Sequence, residues 1–168
     1  LIDHRLDGEL RGIISALQKA QTAEDVMSAL AACPTLNMLN TCYVIYNPEQ
    51  QPLKNPYAFG NAWFVDKLDM VDNADAEIEA LNPIDPLRTA VVDKRFQEDL
   101  EGFVPQKDST ATIVLEEYRP NRLTYKSKAD KEQLAVFSEV YYQPGWKATV
   151  DGKEVPHFRA DWILRGMR

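Results

Sequence analysis

A chain of 168 residues with 45% hydrophobic and 27% charged content is long enough to bury one full core or two small ones, and this composition argues against disorder. A formal net charge of -7 and a sequence pI of about 4.9 argue against a phosphate-backbone partner, which needs Lys and Arg clustered on one face; no nucleic acid is expected. The charge is uneven, with 18 acids against 9 bases in residues 1 to 110 and 8 against 10 in residues 111 to 168. That split suits either two sub-regions with different surroundings or two solvated surfaces.

No apolar run approaches the ~18 residues that span a bilayer, and Leu1 does not begin a basic and then apolar signal peptide. The chain as given is expected to be soluble. Because it starts without Met inside a helix approach, it reads as a segment of something larger.

Leu6, Leu10, Ile13, Ile14 and Leu17 fall at i, i+4, i+7, i+8 and i+11, the stripe of an amphipathic helix. Gly8 and Gly12 each weaken it by ~1 kcal/mol relative to Ala, so packing must hold its first turns. Thr22, followed by Glu24 and Asp25, predicts an N-cap with acids in the first turn of a second helix through Val26, Met27, Leu30 and Ala31, which Pro34 ends. A short helical turn follows over Leu36 to Leu39. The β-branched and aromatic run Cys42 to Tyr46 then predicts a strand, stopped at Asn47-Pro48.

After a proline-rich loop to Asn55-Pro56, "NAWFVDKLDMV" predicts one strand from Ala62 to Val71. Asp72 or Asn73 caps a helix over 74 to 81 with Ile78 and Leu81 facing inward, and Thr89 to Val92 forms another strand. Beyond about residue 110 helical periodicity disappears. Strands are predicted at Thr112 to Tyr118, Arg122 to Ser127, Leu134 to Tyr142, Lys147 to Val150, Lys153 to Val155 and Asp161 to Leu164, a spacing that indicates a sandwich or jelly roll. Asp151-Gly152 is the strongest hairpin signal, because a type I′ turn needs positive φ at both central residues. Pro144-Gly145 breaks the strand before it.

The fold expected is therefore α+β. A helical pair on a small mixed sheet occupies residues 1 to 105, and an antiparallel β-sandwich, jelly-roll or Ig-like, occupies residues 110 to 168.

Few constellations carry chemistry. Asp66, Asp69, Asp72, Asp75 and Glu77 are dense enough to suggest calcium, but the EF-hand spacing fails, and a solvated strand end and first helical turn accounts for them. Cys33 and Cys42 lie in no zinc-binding spacing, so no metal is expected; they read as two ordinary buried thiols, with a disulfide as the alternative. His4 and His157 sit at opposite ends of the chain with no nucleophile elbow, and each reads as an ordinary surface or half-buried residue.

The aromatic residues Trp63, Trp146 and Trp162, with Tyr57, Phe59, Tyr141 and Tyr142, remain. An exposed indole stacks on the C–H face of a sugar while neighbouring polar groups take its hydroxyls. Trp63 and Trp162 alternate with polar neighbours as core residues do, whereas Trp146 lies in a turn. The candidate glycan-binding residues are Trp146, Trp63 and Tyr142; no catalytic residue and no cofactor is assigned.

Three stretches together, "LNMLNTCYVIYN" (36 to 47), "NPYAFGNAWFV" (55 to 65) and "FSEVYYQPGWKATVDGKEVPHFRADWILRGM" (137 to 167), resemble the extracytoplasmic C-terminal region of the bacterial YfhO-like polytopic membrane proteins. The resemblance implies a parent related to the GT-C class, which takes sugars from polyprenyl-phosphate donors, with members implicated in glycosylating cell-envelope polymers. The catalytic carboxylate of that class is expected in an early loop outside this segment, so none is carried over. Cys42 stands where similar sequences carry Lys, which implies that the position is not chemical. The family pattern continues past Arg168 with a further apolar strand, so the predicted sandwich lacks an edge here.

On this resemblance the expected role is a non-catalytic extracytoplasmic domain, periplasmic or cell-surface, that positions a glycan acceptor. Its partners are the rest of the parent membrane protein and an envelope glycan. The alternative is a structural or protein-interaction module with no glycan affinity.

Overall fold

The computed structural model describes residues 2–82 and 84–168, the side chains of residues 2–6 excepted. The predicted roles of His4 and Leu6 therefore lie outside the described residues. The fold is α+β, and the chain divides into two compact units, residues 1–60 and 61–168.

The first unit holds three helices, α1 (Ile2–Lys19), α2 (Ala23–Ala31) and α3 (Pro34–Met38), and a two-stranded antiparallel ribbon of β1 (Tyr43–Val44) and β2 (Leu53–Lys54). Thr22 caps α2 as predicted: its hydroxyl accepts the Asp25 N–H at 3.1 Å, while the Asp25 carboxylate accepts the Thr22 N–H at 2.9 Å. Such a reciprocal box satisfies two orphan donors at once. The core of this unit is Ile13, Leu17, Ala29, Leu30 and Cys33, with Val26, Leu36, Val44 and Leu53 packed against it. Only part of the predicted α1 stripe is used, since Leu10 and Ile14 are exposed. Helix α3 brings Pro34 to its first turn, where the missing N–H costs nothing. Glu9 reaches across from α1 to accept the Thr35 and Leu36 N–H groups there, each at 3.3 Å. Cys33 is buried and Cys42 exposed, and both are free thiols.

In the second unit the run predicted as one strand is two. Strand β3 (Ala62–Val65) ends before Asp66, and β4 (Lys67–Val71) joins a different ladder. The break is fixed from outside, because the Arg88 carbonyl accepts both the Asp66 and Lys67 N–H groups, at 3.0 and 2.9 Å. Helix α4 (Ala74–Ala80) follows, with Asn73 Oδ1 accepting the Ala76 N–H at 3.0 Å and Ile78 and Leu81 buried as expected. Strand β5 (Thr89–Asp93) then pairs parallel to β4, so β4, α4 and β5 form a crossover unit. All five residues of β5 are buried, as is usual for a parallel strand covered on both faces. A 3₁₀ helix follows over Lys94–Leu100.

The remaining strands are β6 (Thr112–Arg119), β7 (Arg122–Lys128), β8 (Leu134–Val140), β9 (Ala148–Val150), β10 (Lys153–Val155), β11 (Phe158–Ala160) and β12 (Leu164–Met167). They form a four-stranded antiparallel sheet in the order β11-β12-β8-β3 and two antiparallel ribbons, β6-β7 and β9-β10. The predicted tight reversal is present, with Asp151 and Gly152 at φ of 50° and 79° between the paired Val150 and Lys153.

Two further sequence-based expectations change. The predicted boundary at 105 to 110 is crossed by the pairing of β3 with β8, and the units divide after Gly60 instead. The parallel pair β4-β5 therefore belongs with the later strands and not with the helices. Of Asp161 to Leu164, predicted as a strand, only Leu164 is in one: residues 161–163 make a reversal between β11 and β12, with Asp161 and Trp162 at φ of 51° and 71°. Composition conceals this turn because neither residue is Gly or Asn.

Close packing inside the four-stranded sheet is set by Gly166 on β12, which faces Phe158 on β11 across the ladder. A methyl at Gly166 would lie 2.9 Å from Phe158 Cδ2 and nearer still to Cε2, and the Phe158 ring is fully buried. Gly166→Ala is therefore expected to destabilise the second unit by about 1–3 kcal/mol, the range for overpacked cores. A lowered midpoint in urea unfolding followed by Trp fluorescence checks this.

Candidate functional site

Two of the candidate glycan-binding residues, Tyr142 and Trp146, lie just beyond the end of β8. Residues Gln143–Gly145 make a single 3₁₀ turn, as Pro144 forbids the strand from continuing. The ring of Tyr142 folds over this turn, so close that a Cβ on Gly145 would lie 3.0 Å from Tyr142 Cδ1. Tyr142 is 60% exposed. Trp146 is half-buried, and the Arg165 guanidinium from β12 sits 4.6 Å from its ring centroid, a cation–π distance. The Trp146 carbonyl lies 3.1 Å from His157 Nε2, and the His157 ring packs edge-on against Tyr141 at 5.5 Å. Tyr141 in turn meets Phe96 edge-on at 5.7 Å.

Arg165 owes its place to a ladder irregularity. The β12–β8 register slips between Leu164 and Arg165, and bulges of this kind re-aim a side chain. The residue is 7% exposed. Its Nη2 donates to the Val140 carbonyl at 3.3 Å, while its Nε is buried without a hydrogen-bond partner. Burial lowers its pKa from the ordinary value, with the Glu139 charge acting the other way. Tyr125, whose ring packs edge-on against Phe137 at 4.9 Å, has a buried hydroxyl with no partner, and burial pushes its pKa up to about 12.

The other proposed platform is placed differently. Trp63 is 7% exposed, and its indole N–H donates to the Pro86 carbonyl at 2.9 Å. It therefore sits as a core residue does, the role its strand alternation suggested. The structure brings Trp146 and Tyr142 to one corner and places Trp63 in the interior.

A second constellation escaped the sequence reading. Glu77 on α4, read there as part of a solvated acidic turn, is fully buried. Its Oε1 accepts the Trp162 N–H at 2.8 Å, and its Oε2 accepts from Arg159 Nη2 on β11. The same Arg159 nitrogen lies 3.5 Å from Asp93 Oδ2. Asp161, also fully buried, accepts the Val91 N–H on Oδ1 at 2.8 Å and donates its own N–H to the Val91 carbonyl at 2.8 Å. These bonds hold the left-handed pair Asp161-Trp162, a conformation costing roughly 1–2 kcal/mol per non-glycine residue.

Burial governs both carboxyls. Asp161 is pushed up to about 8 by burial, against the pull of the Val91 N–H and with help from the Glu77 charge. Burial also raises Glu77, with Arg159 and the Trp162 N–H drawing it back. Two acids and an arginine tied so closely serve to pin a turn, since their oxygens, Asp161 Oδ2 excepted, are already engaged. Of the remaining four acids of that group, Asp66 pairs with Arg88 and Asp72 with Lys94. Among the described residues no group of three or more His, Cys, Asp or Glu side chains is arranged to hold a metal ion.

No signal in the chain order could have joined Glu77 to Arg159, 82 residues away. Comparison with known proteins adds nothing to this geometry: no protein-family model, no curated protein and no solved structure matches the chain.

Proposed function

We propose that the chain is a non-catalytic extracytoplasmic domain of a YfhO-like membrane glycosyltransferase, and that it positions a glycan acceptor near the membrane-embedded site of its parent. The parent class, the polyprenyl-phosphate donor chemistry and the location outside the membrane rest on the resemblance of residues 36 to 47, 55 to 65 and 137 to 167. None of the described helices is long and apolar enough to cross a membrane, so in this reading the membrane spans lie elsewhere in the parent.

The observation that carries the glycan role is the corner at Trp146: an indole with an arginine stacked on it, beside an exposed Tyr142 ring. A flat aromatic surface flanked by hydrogen-bond donors meets the two needs of a sugar, an apolar face for its C–H groups and partners for its hydroxyls. Titration of the chain with a panel of cell-envelope glycans, followed by NMR, is expected to shift the resonances of Trp146 and Tyr142 while Trp63 stays unmoved. Trp146→Ala is expected to weaken binding about tenfold, equivalent to ~1.4 kcal/mol. Silence across the panel overturns the role.

A second reading, a protein-interaction module, is favoured by a different observation. Tyr43 and Ile45, two residues apart in the first unit, are 61% and 67% exposed. Apolar side chains left outward in this way mark contact surfaces when they adjoin. The parent gene tests what the two readings share: spans on either side of this segment support both, and a gene encoding only these residues removes both.

A further inference from the structure

Three buried polar atoms lack a partner at one corner of the second unit: Arg165 Nε, the Tyr125 hydroxyl and His157 Nδ1. Buried polar atoms are satisfied in the great majority of cases, and each exception calls for a physical reason. Two of the three are obligate or ready donors, since a guanidinium N–H has no acceptor capacity and a phenol donates its proton. Arg165 makes one hydrogen bond, to the Val140 carbonyl at 3.3 Å. No carboxylate pairs with it among the described residues, whereas Arg159, on the adjacent strand of the same sheet, is paired with both Glu77 and Asp93. The acid whose charge reaches Arg165 is Glu139, which shares no ion pair with it. A cation that is 7% exposed, stacked on an indole and short of acceptors, has been desolvated without being neutralised, an expensive condition for a charge in a protein interior.

An anion arriving at this corner would relieve that cost. Arginine presents a planar fork suited to the two oxygens of a carboxylate or to a phosphate, and its stacking on Trp146 fixes the plane of that fork. The indole beside it would take the apolar face of the sugar carrying the anion. From this geometry we infer that the Trp146 corner is selective for an acidic sugar, one bearing a carboxylate or a phosphate ester, with Arg165 as the specificity residue and Tyr125 as a second donor. This rests on the glycan reading above and narrows it. The alternative account is a corner hydrated by ordered water, in which the same donors are satisfied without any ligand.

The test compares three probes on the full 168-residue chain by Trp fluorescence and NMR titration: methyl β-D-glucuronide, methyl β-D-glucoside and glucose 6-phosphate. Binding of the glucuronide or the phosphate at least tenfold tighter than the neutral glucoside at low salt is expected, with the preference shrinking as salt is raised. Which acidic probe binds better identifies the anion. Arg165→Gln should bring acidic and neutral probes to within about twofold of each other. Because a buried Arg165→Gln variant could fail to fold, Tyr125→Phe serves as the second arm. It removes only the unpartnered hydroxyl and should lower the ratio of acidic-probe to neutral-probe affinity several-fold. Equal affinity for charged and neutral sugars overturns the inference and leaves the glycan reading standing. Failure of all three probes together with the wider glycan panel overturns both.

Discussion

Replacing Asp161 by Asn should flatten the pH dependence of stability of the second unit between about pH 4 and pH 8. In the native chain that stability should fall across the window. The folded-state carboxyl is held up to about 8, against an unfolded value near 3.9. The folded state therefore binds more protons than the unfolded state throughout this range. The stability Asp161 contributes is complete below the unfolded value and is lost as pH rises through the folded one. The loss should be on the order of several kcal/mol, since every tenfold difference in proton affinity between the two states is worth about 1.4 kcal/mol. Asp108 acts with the opposite sign. Hydrogen bonds from Thr110 and from the Asp130 N–H lower it to about 2, so its contribution is present at neutral pH and disappears as pH falls toward 2. Stability should accordingly peak in mildly acidic solution. All three tryptophans lie in residues 61–168, so urea unfolding read by Trp fluorescence at a series of pH values reports this unit. Asp161→Asn keeps an acceptor for the Val91 N–H and tolerates positive φ. The variant should therefore be more stable than the native chain at pH 8. An unchanged slope between the two proteins would contradict the assignment.

Glu77→Ala should cost the second unit about 3–5 kcal/mol, the range for breaking a buried pair by removing one partner. The loss has two sources. Arg159 would keep only Asp93, at 3.5 Å, and the Trp162 N–H would lose its acceptor in a reversal that is already left-handed. Glu77→Gln separates them, because the amide oxygen can still accept from Trp162 while the charge opposite Arg159 is gone. It should fall between the native chain and Glu77→Ala. Equal losses for the two variants would mean that the ion pair alone matters and that the turn needs no support.

How far the sequence could be read depended on whether each decision was local. The Thr22 cap, the Asn73 cap and the Asp151-Gly152 reversal are settled within four residues, by hydrogen bonds a side chain makes to its own backbone or by positive φ, and all three are present. The break at Asp66 is imposed by a carbonyl 22 residues later, so the apolar run across it looks continuous. Likewise the stripe on α1 contains more apolar positions than its small core uses, and periodicity alone could not choose Ile13 and Leu17 over Leu10 and Ile14. At the candidate site, Pro144-Gly145 revealed the turn that presents Trp146. Arg165 remained hidden because its surroundings exist only once β12 has paired with β8. Glu77 was misread for a related reason: an acid in the first turn of a helix is ordinarily solvated, and nothing near it in the chain announces that Arg159 will cover it.

The links from Glu77 to Arg159 and Trp162, and from Val91 to Asp161, close loops of 82, 85 and 70 residues. Contacts so distant along a polypeptide are costly in entropy to establish and slow the search for the native state. During synthesis, α4 leaves the ribosome several seconds ahead of the β11–β12 hairpin at usual elongation rates of roughly 5–20 residues per second. Until that hairpin emerges the Glu77 carboxylate is without Arg159 and the Trp162 N–H, and β3 and β8 are without the two strands that complete their sheet.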